Sequence, residues 1–134
     1  MKRLRIFVDA NVLFSACNPG SRINQTLTQC VANHEVVTCA VAIDETFRNL
    51  TRKRPIWLPA FAIFQSVIQI IPENGSLLEL GLPEVDGILL GAAVSARCDI
   101  FVTGDHHHFG LLFGQTITGV RVLTPRAFAI ELSR

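Results

Sequence analysis

The run Leu4–Arg5–Ile6–Phe7–Val8, followed at once by Asp9–Ala10–Asn11, constrains this chain more than any other stretch. So short a run of β-branched and aromatic residues reads as a strand buried on both faces, the central strand of a parallel sheet. In an open α/β sheet, ligands bind just beyond the carboxyl ends of the strands. Asp9 is therefore expected at the edge where a site would lie. The same logic brings three later acids there, Glu45, Asp86 and Asp105. Any one of them alone reads as a solvated loop acid; the four together point to a metal site.

The rest of the chain alternates in the same style. Asn18–Pro19–Gly20 marks a turn, and Ser21 caps a helix over 22–33 with Ile23, Leu27, Cys30, Val31 and His34 on one face. His34, near the end of that helix, is expected as a capping cation. A second strand over 35–40 leads into a helix over 41–54, with Ile43, Phe47 and Leu50 inward and Pro55 as its stop. Asp44 is expected to pair with Arg48 four residues on. Glu45 points about 100° away and shares its face with Arg48, Asn49 and Arg52. A proline-bounded amphipathic helix over 59–68 runs into an extended piece at 69–71, and Glu73–Asn74–Gly75 reads as a turn. Leu82–Pro83 opens an apolar helix over 84–97 in which Gly87, Gly91 and Ser95 form a stripe for close packing. A strand over 99–103 exits at Gly104–Asp105. A last strand over 120–123 meets Thr124–Pro125, a cap with a first-turn proline, and a closing helix to Leu132. Strands alternating with helices from end to end argue for a three-layer α/β/α sandwich with a mainly parallel sheet, as one domain over 1–134.

Composition narrows the function. Apolar residues make up 49% of the 134, and charged residues only 17%, which suits a packed core and excludes a disordered chain. The net charge of +1 supplies no global field toward nucleic acid, so any such binding must come from a local patch. Cys17, Cys30, Cys39 and Cys98 show no metal-finger spacing and read as reduced core thiols of a cytoplasmic protein. The opening residues do not read as a signal peptide, and the uncharged stretch 55–72 reads as an amphipathic helix rather than a membrane span.

Carboxylates gathered at one edge repel, at about 4 kcal/mol per close pair for an effective dielectric of about 20. A fold that gathers them needs a cation, and oxygen donors select hard ions such as Mg2+ or Mn2+. The chemistry that follows is phosphodiester hydrolysis. Asp86 has a competing explanation, since an acid in the first turn of a helix is favoured by the macrodipole.

Several motifs recur in a fixed order: Phe7–Val8–Asp9–Ala10–Asn11–Val12–Leu13, then Asp44–Glu45–Thr46–Phe47–Arg48–Asn49–Leu50, Leu82–Pro83–Glu84–Val85–Asp86, Val102–Thr103–Gly104–Asp105, and finally Gly119–Val120–Arg121–Val122–Leu123–Thr124–Pro125. In that order they resemble the PIN domain family, metal-dependent nucleases that include the VapC-like toxin ribonucleases of toxin–antitoxin pairs. The resemblance covers nearly the whole chain. It implies a five-stranded sheet ordered 3-2-1-4-5 and RNA cleavage through Asp9, Glu45, Asp86 and Asp105, with Asn11 and Thr103 as hydrogen-bond partners. It also implies a cognate antitoxin protein and leaves a homodimer open. Two departures stand out. Many members carry another acid soon after the strand-end aspartate, where this chain has His106–His107–His108, which leaves one metal or two open. Cys39 stands where a helix-capping serine is common, a matter of stability alone.

The histidine run reads mainly as a polar loop anchored by Phe109, with His108 as the one placed to contact phosphate. Arg48 and Arg52, beside Glu45, are the expected phosphate holders. Receiver-type phosphotransfer proteins need a lysine late in the sheet, but no lysine follows Lys53. Aspartyl phosphatases need a second carboxylate where Asn11 stands. The remaining rival is a catalytically idle PIN-like module that binds RNA or protein.

Overall fold

Strand β1 (Arg5–Val8) has every side chain from Ile6 onward removed from solvent, and it pairs in parallel with β2 (Glu35–Cys39) on one side and β4 (Ile100–Val102) on the other. The computed structural model describes residues 2–73 and 80–134, so most of the turn expected at Glu73–Asn74–Gly75 lies outside the described residues. β3 (Gln69–Ile71) extends the sheet beyond β2, and β6 (Val120–Leu123) pairs in parallel with β4. The short β5 (Thr116–Ile117) closes the edge antiparallel to β6, giving the order β3-β2-β1-β4-β6-β5. The five parallel strands thus follow 3-2-1-4-5, and the sixth is an added edge hairpin. Thr118 and Gly119, at φ 48° and 87°, make its two-residue turn, the left-handed pair that matches strand twist.

Register places alternate side chains on opposite faces. Ile6, Val36 and Ile100 face one layer, built from α1 (Ala10–Ala16), α2 (Arg22–Asn33), α3 (Ala40–Lys53), α4 (Leu58–Val67) and α7 (Pro125–Leu132). Phe7, Val37 and Phe101 face the other, covered by α5 (Glu84–Ser95) and α6 (His106–Phe109). On that face the Phe7 and Phe101 rings stack at 5.2 Å, and Phe109 leans on Phe101 at 5.2 Å. β1 is the strand at which the order reverses, so the crevice outside the carboxyl ends of β1 and β4 is the topological switch point.

Helix ends follow local chemistry. The Ser21 hydroxyl accepts from the Asn24 N–H and the Thr124 hydroxyl from that of Ala127. Cys39 makes no such bond at the start of α3; the Glu73 carboxylate takes the Val41 N–H instead, at 2.6 Å. Glu73→Ala is expected to cost about 1 kcal/mol in urea unfolding, with Cys39→Ser recovering part of it. Equal stability of wild type and Glu73→Ala would show that this cap carries nothing.

Four expectations need correction. Phe47 is half-exposed, because Thr46 takes the inward place, donating to Ala42 O at 2.7 Å. His34 is buried and accepts the Leu4 N–H at Nδ1, 2.9 Å away. His34 thus closes α2 through its backbone N–H to Cys30 O, while its ring serves as an acceptor for the chain entering β1 and not as a cap on the helix carbonyls. Arg48 does not pair with the Asp44 carboxylate but donates from Nε to the Asp44 carbonyl at 3.4 Å. The α5 stripe is buried at Gly87 and Gly91 but ends before Ser95, which is exposed. All four cysteines are buried, and burial pushes Cys17 and Cys30 up to about 12 and Cys39 and Cys98 up to about 11.

Candidate functional site

Asp9 leaves β1 and caps α1, so one residue ends the strand and starts the helix. Its Oδ1 accepts the Ala10 N–H at 2.7 Å. Its Oδ2 accepts the Thr103 hydroxyl at 2.8 Å and the Asn11 amide at 3.1 Å. Asn11 in turn receives the Gly104 N–H on Oδ1 at 2.7 Å, and the Thr103 oxygen accepts the Asp105 N–H at 3.1 Å. A Cβ on residue 104 would sit 3.3 Å from that Asn11 oxygen, which is why glycine suits this exit turn. Asn11 and Thr103 therefore tie the end of β1 to the end of β4.

Two residues that the sequence reading passed over hold the peptide groups around Asp9. Thr38 donates to Val8 O at 2.8 Å, and Thr46 lies 3.4 Å from Ala10 O. Both hydroxyls are fully buried. The available signal was a threonine at the end of a strand and another on the inward face of a helix, where an apolar residue is usual.

Asp86 rises from the first turn of α5, and Asp105 caps α6 by accepting the His108 N–H at 3.0 Å. His108 Nδ1 lies 2.9 Å from Asp86 Oδ2 and 2.7 Å from Asp105 Oδ2, bridging the two. Glu45 is exposed on α3, and its charge is felt at both Asp9 and Asp86. Asp86, Asp105 and His108 thus form one group with ligand atoms within 4.8 Å of one another, and Asp9 and Glu45 act on Asp86 or on each other by charge without joining that group. Arg48 and Arg52 project from the exposed face of α3, Arg52 donating to Asn49 Oδ1 at 3.3 Å, and neither has a carboxylate partner among the described residues. His106 and His107 are exposed on α6, a short helix where the sequence suggests a polar loop, and Phe109 is fully buried as its anchor.

The electrostatics ask for a cation. Burial pushes the Asp9 carboxyl from 3.8 up to about 6; its hydrogen bonds work against this, and the charges of Asp86 and Glu45 add to it. Burial also raises Asp86, opposed by His108 and aided by Asp105 and Glu45. At Asp105, the N–H and imidazole of His108 outweigh burial, and the carboxyl sits below its ordinary value. The donor set is carboxylate oxygen, with one imidazole whose nitrogen lies within 4.8 Å of a ligand atom of Asp86 and of Asp105. It fits a hard or borderline divalent ion.

The Asp9 shift has a sign that can be checked. A folded protein whose carboxyl titrates near 6 binds more protons than the unfolded chain between about pH 4 and 6, so stability falls as pH rises through that window. The span is about 3 kcal/mol. Asp86 acts in the same direction, and Asp105 acts only below its ordinary range. Denaturant unfolding of chelator-treated protein is expected to show this slope, flattened in Asp9→Asn; an identical slope in both would remove Asp9 as its source.

No family model and no curated protein matches the sequence. Among solved structures, the chain is similar to a chain of VapBC2 from Rickettsia felis, whose crystal structure is bound to a DNA fragment from their promoter. The TM-score is 0.67 at 15% identity, over 90% of this chain and 98% of that one. At that identity the likeness is one of fold, and the fold is the PIN-like sandwich that the sequence motifs imply.

Proposed function

We propose that this protein is a metal-dependent endoribonuclease in which Asp9, Glu45, Asp86 and Asp105 hold Mg2+ or Mn2+ at the carboxyl edge of β1 and β4. One observation carries the reading: Asp9 accepts three hydrogen bonds, yet burial and the neighbouring acids still hold its carboxyl near 6. Such a group is short of positive charge. When bound, the metal activates water and neutralises charge that develops on the phosphate. The chain's own residues do the rest. Ala10, Asn11 and Thr103 fix both oxygens of Asp9. Arg48 and Arg52 hold substrate phosphates beside Glu45. His108 steadies Asp86 and Asp105 and is placed to donate to a phosphate oxygen at the same edge.

The toxin-like setting has separate support. A cleft of about 320 Å³ between α2 and α4 is lined by Val31, Ala60, Ile63, Phe64 and Val67, with Ile63 67% and Val67 54% exposed. That suits an apolar helix of an antitoxin partner, and the structural neighbour belongs to a VapBC2 assembly. No helix among the described residues is long and apolar enough to cross a membrane.

Metal binding tests the reading apart from any substrate. Mn2+ at about a hundred times its Kd stabilises a folded site by about 2.7 kcal/mol, so the Tm of chelator-treated protein is expected to rise by several degrees and that of Asp9→Asn to stay put. A wild-type Tm indifferent to Mg2+ and Mn2+ would refute the site.

A further inference from the structure

A second groove lies between α2 and α7, about 450 Å³ in volume, with a floor of Ile23, Pro125 and Ala129. Arg22 and Arg126 line it together. Among the described residues, the arginine ion pairs engage Arg5, Arg121 and Arg134, and no carboxylate lies within 4.0 Å of either groove arginine. Two guanidiniums facing one groove repel unless an anion lies between them. Their planar forks suit phosphate oxygens at two points each.

The groove adjoins the acid cluster. Pro125 Cγ stands 4.0 Å from where a Cβ on Gly104 would be, and the Gly104 N–H is held by Asn11, which holds Asp9. We infer that this groove binds the sugar–phosphate backbone of the RNA strand on one side of the cleaved bond, with Arg22 and Arg126 as the phosphate-binding residues. The inference rests on the nuclease reading and extends it. A strand whose scissile phosphate lies at Asp9 carries its next phosphates past Asn11 and Gly104 into the groove. Arg48 and Arg52 on α3 then hold the strand near Glu45. An acidic protein segment is the competing occupant, but the apolar cleft between α2 and α4 lacks charged side chains and is a separate place for a partner.

Fluorescence anisotropy of a labelled ten-nucleotide oligouridine, with chelator present so that nothing is cut, tests the groove without calling on catalysis. R22A/R126A is expected to weaken binding at least about tenfold and to flatten the slope of log K against log salt by about 1.4, two single-strand phosphate contacts' worth. Both side chains are exposed, so the fold should be retained, and an unchanged Tm verifies it. Unchanged affinity and slope in R22A/R126A would overturn the inference, as would a wild-type protein that does not bind the oligonucleotide. So would a variant that binds RNA normally and loses only an acidic protein partner. A wild type that binds through these arginines but never cleaves would sink the nuclease reading and leave the groove standing.

Discussion

Asp9→Asn is expected to lose RNA cleavage by a factor on the order of 10³, about 4 kcal/mol of barrier, while the metal-free protein becomes more stable. The two effects have opposite signs for one reason. The carboxylate that the proposed reaction needs is the carboxylate that burial and its neighbours penalise. An amide in its place keeps an acceptor for the Ala10 N–H and turns its donor toward the Thr103 oxygen. The Asn11 amide loses its acceptor on residue 9 but keeps the Thr103 oxygen at 3.3 Å, and its Oδ1 still takes the Gly104 N–H, so the tie between β1 and β4 persists. Removing the charge at pH 7.5 releases up to about 3 kcal/mol. Asp86→Asn is expected to act in the same two directions, with a smaller gain in stability because Asp86 is only partly buried. Cleavage rates and urea unfolding on the same samples check both. Full activity in either variant, or a loss of fold, would contradict the assignment.

Phe109→Ala is expected to be the most damaging change outside the acids, at about 3–5 kcal/mol of a total that is only about 5–15 for a typical domain. Phe109 has no exposed surface, and its ring closes the row that runs through Phe101 to Phe7 across the sheet. It also ends α6, whose cap is Asp105 and whose third residue is His108. Loss of the anchor therefore costs both stability and the placement of two site residues. Urea unfolding reads the first. The second is read at low temperature, where the folded fraction is still expected to cleave more slowly than wild type. A variant as stable and as active as wild type would show that α6 is positioned by something else.

The long elements were legible because period and caps agree. Ser21 and Thr124–Pro125 each announce a helix start, and the apolar period carries α2 and α7 to their ends. The sheet order followed once the motifs were placed. What escaped has physical causes. α1 is only seven residues long, and its one capping side chain is Asp9, a residue the sequence presents as a site acid and whose capping role is therefore easily overlooked. β5 has two residues, too few for any periodicity. Phe47 and Thr46 exchange the roles that hydrophobicity suggests, because two carbonyl oxygens near the start of α1 and α3 give a buried hydroxyl its partners. The histidine run reads as a polar loop in the sequence but forms the short helix α6, with Phe109 buried at its end. That His108 bridges Asp86 and Asp105 depends on α6 turning its backbone N–H onto the Asp105 side chain, a contact between neighbours that spacing alone does not fix.

The most direct measurement is an incubation of the protein with end-labelled RNA in Mn2+, in Mg2+ and in excess chelator, followed by analysis of the product ends. The account predicts cleavage in the metal lanes, none in chelator, recovery when metal is restored, and products without 2′,3′-cyclic phosphate, since water and not the neighbouring 2′-hydroxyl attacks the phosphate. Intact RNA in every lane, or cleavage that ignores the chelator and leaves cyclic phosphate ends, would contradict it.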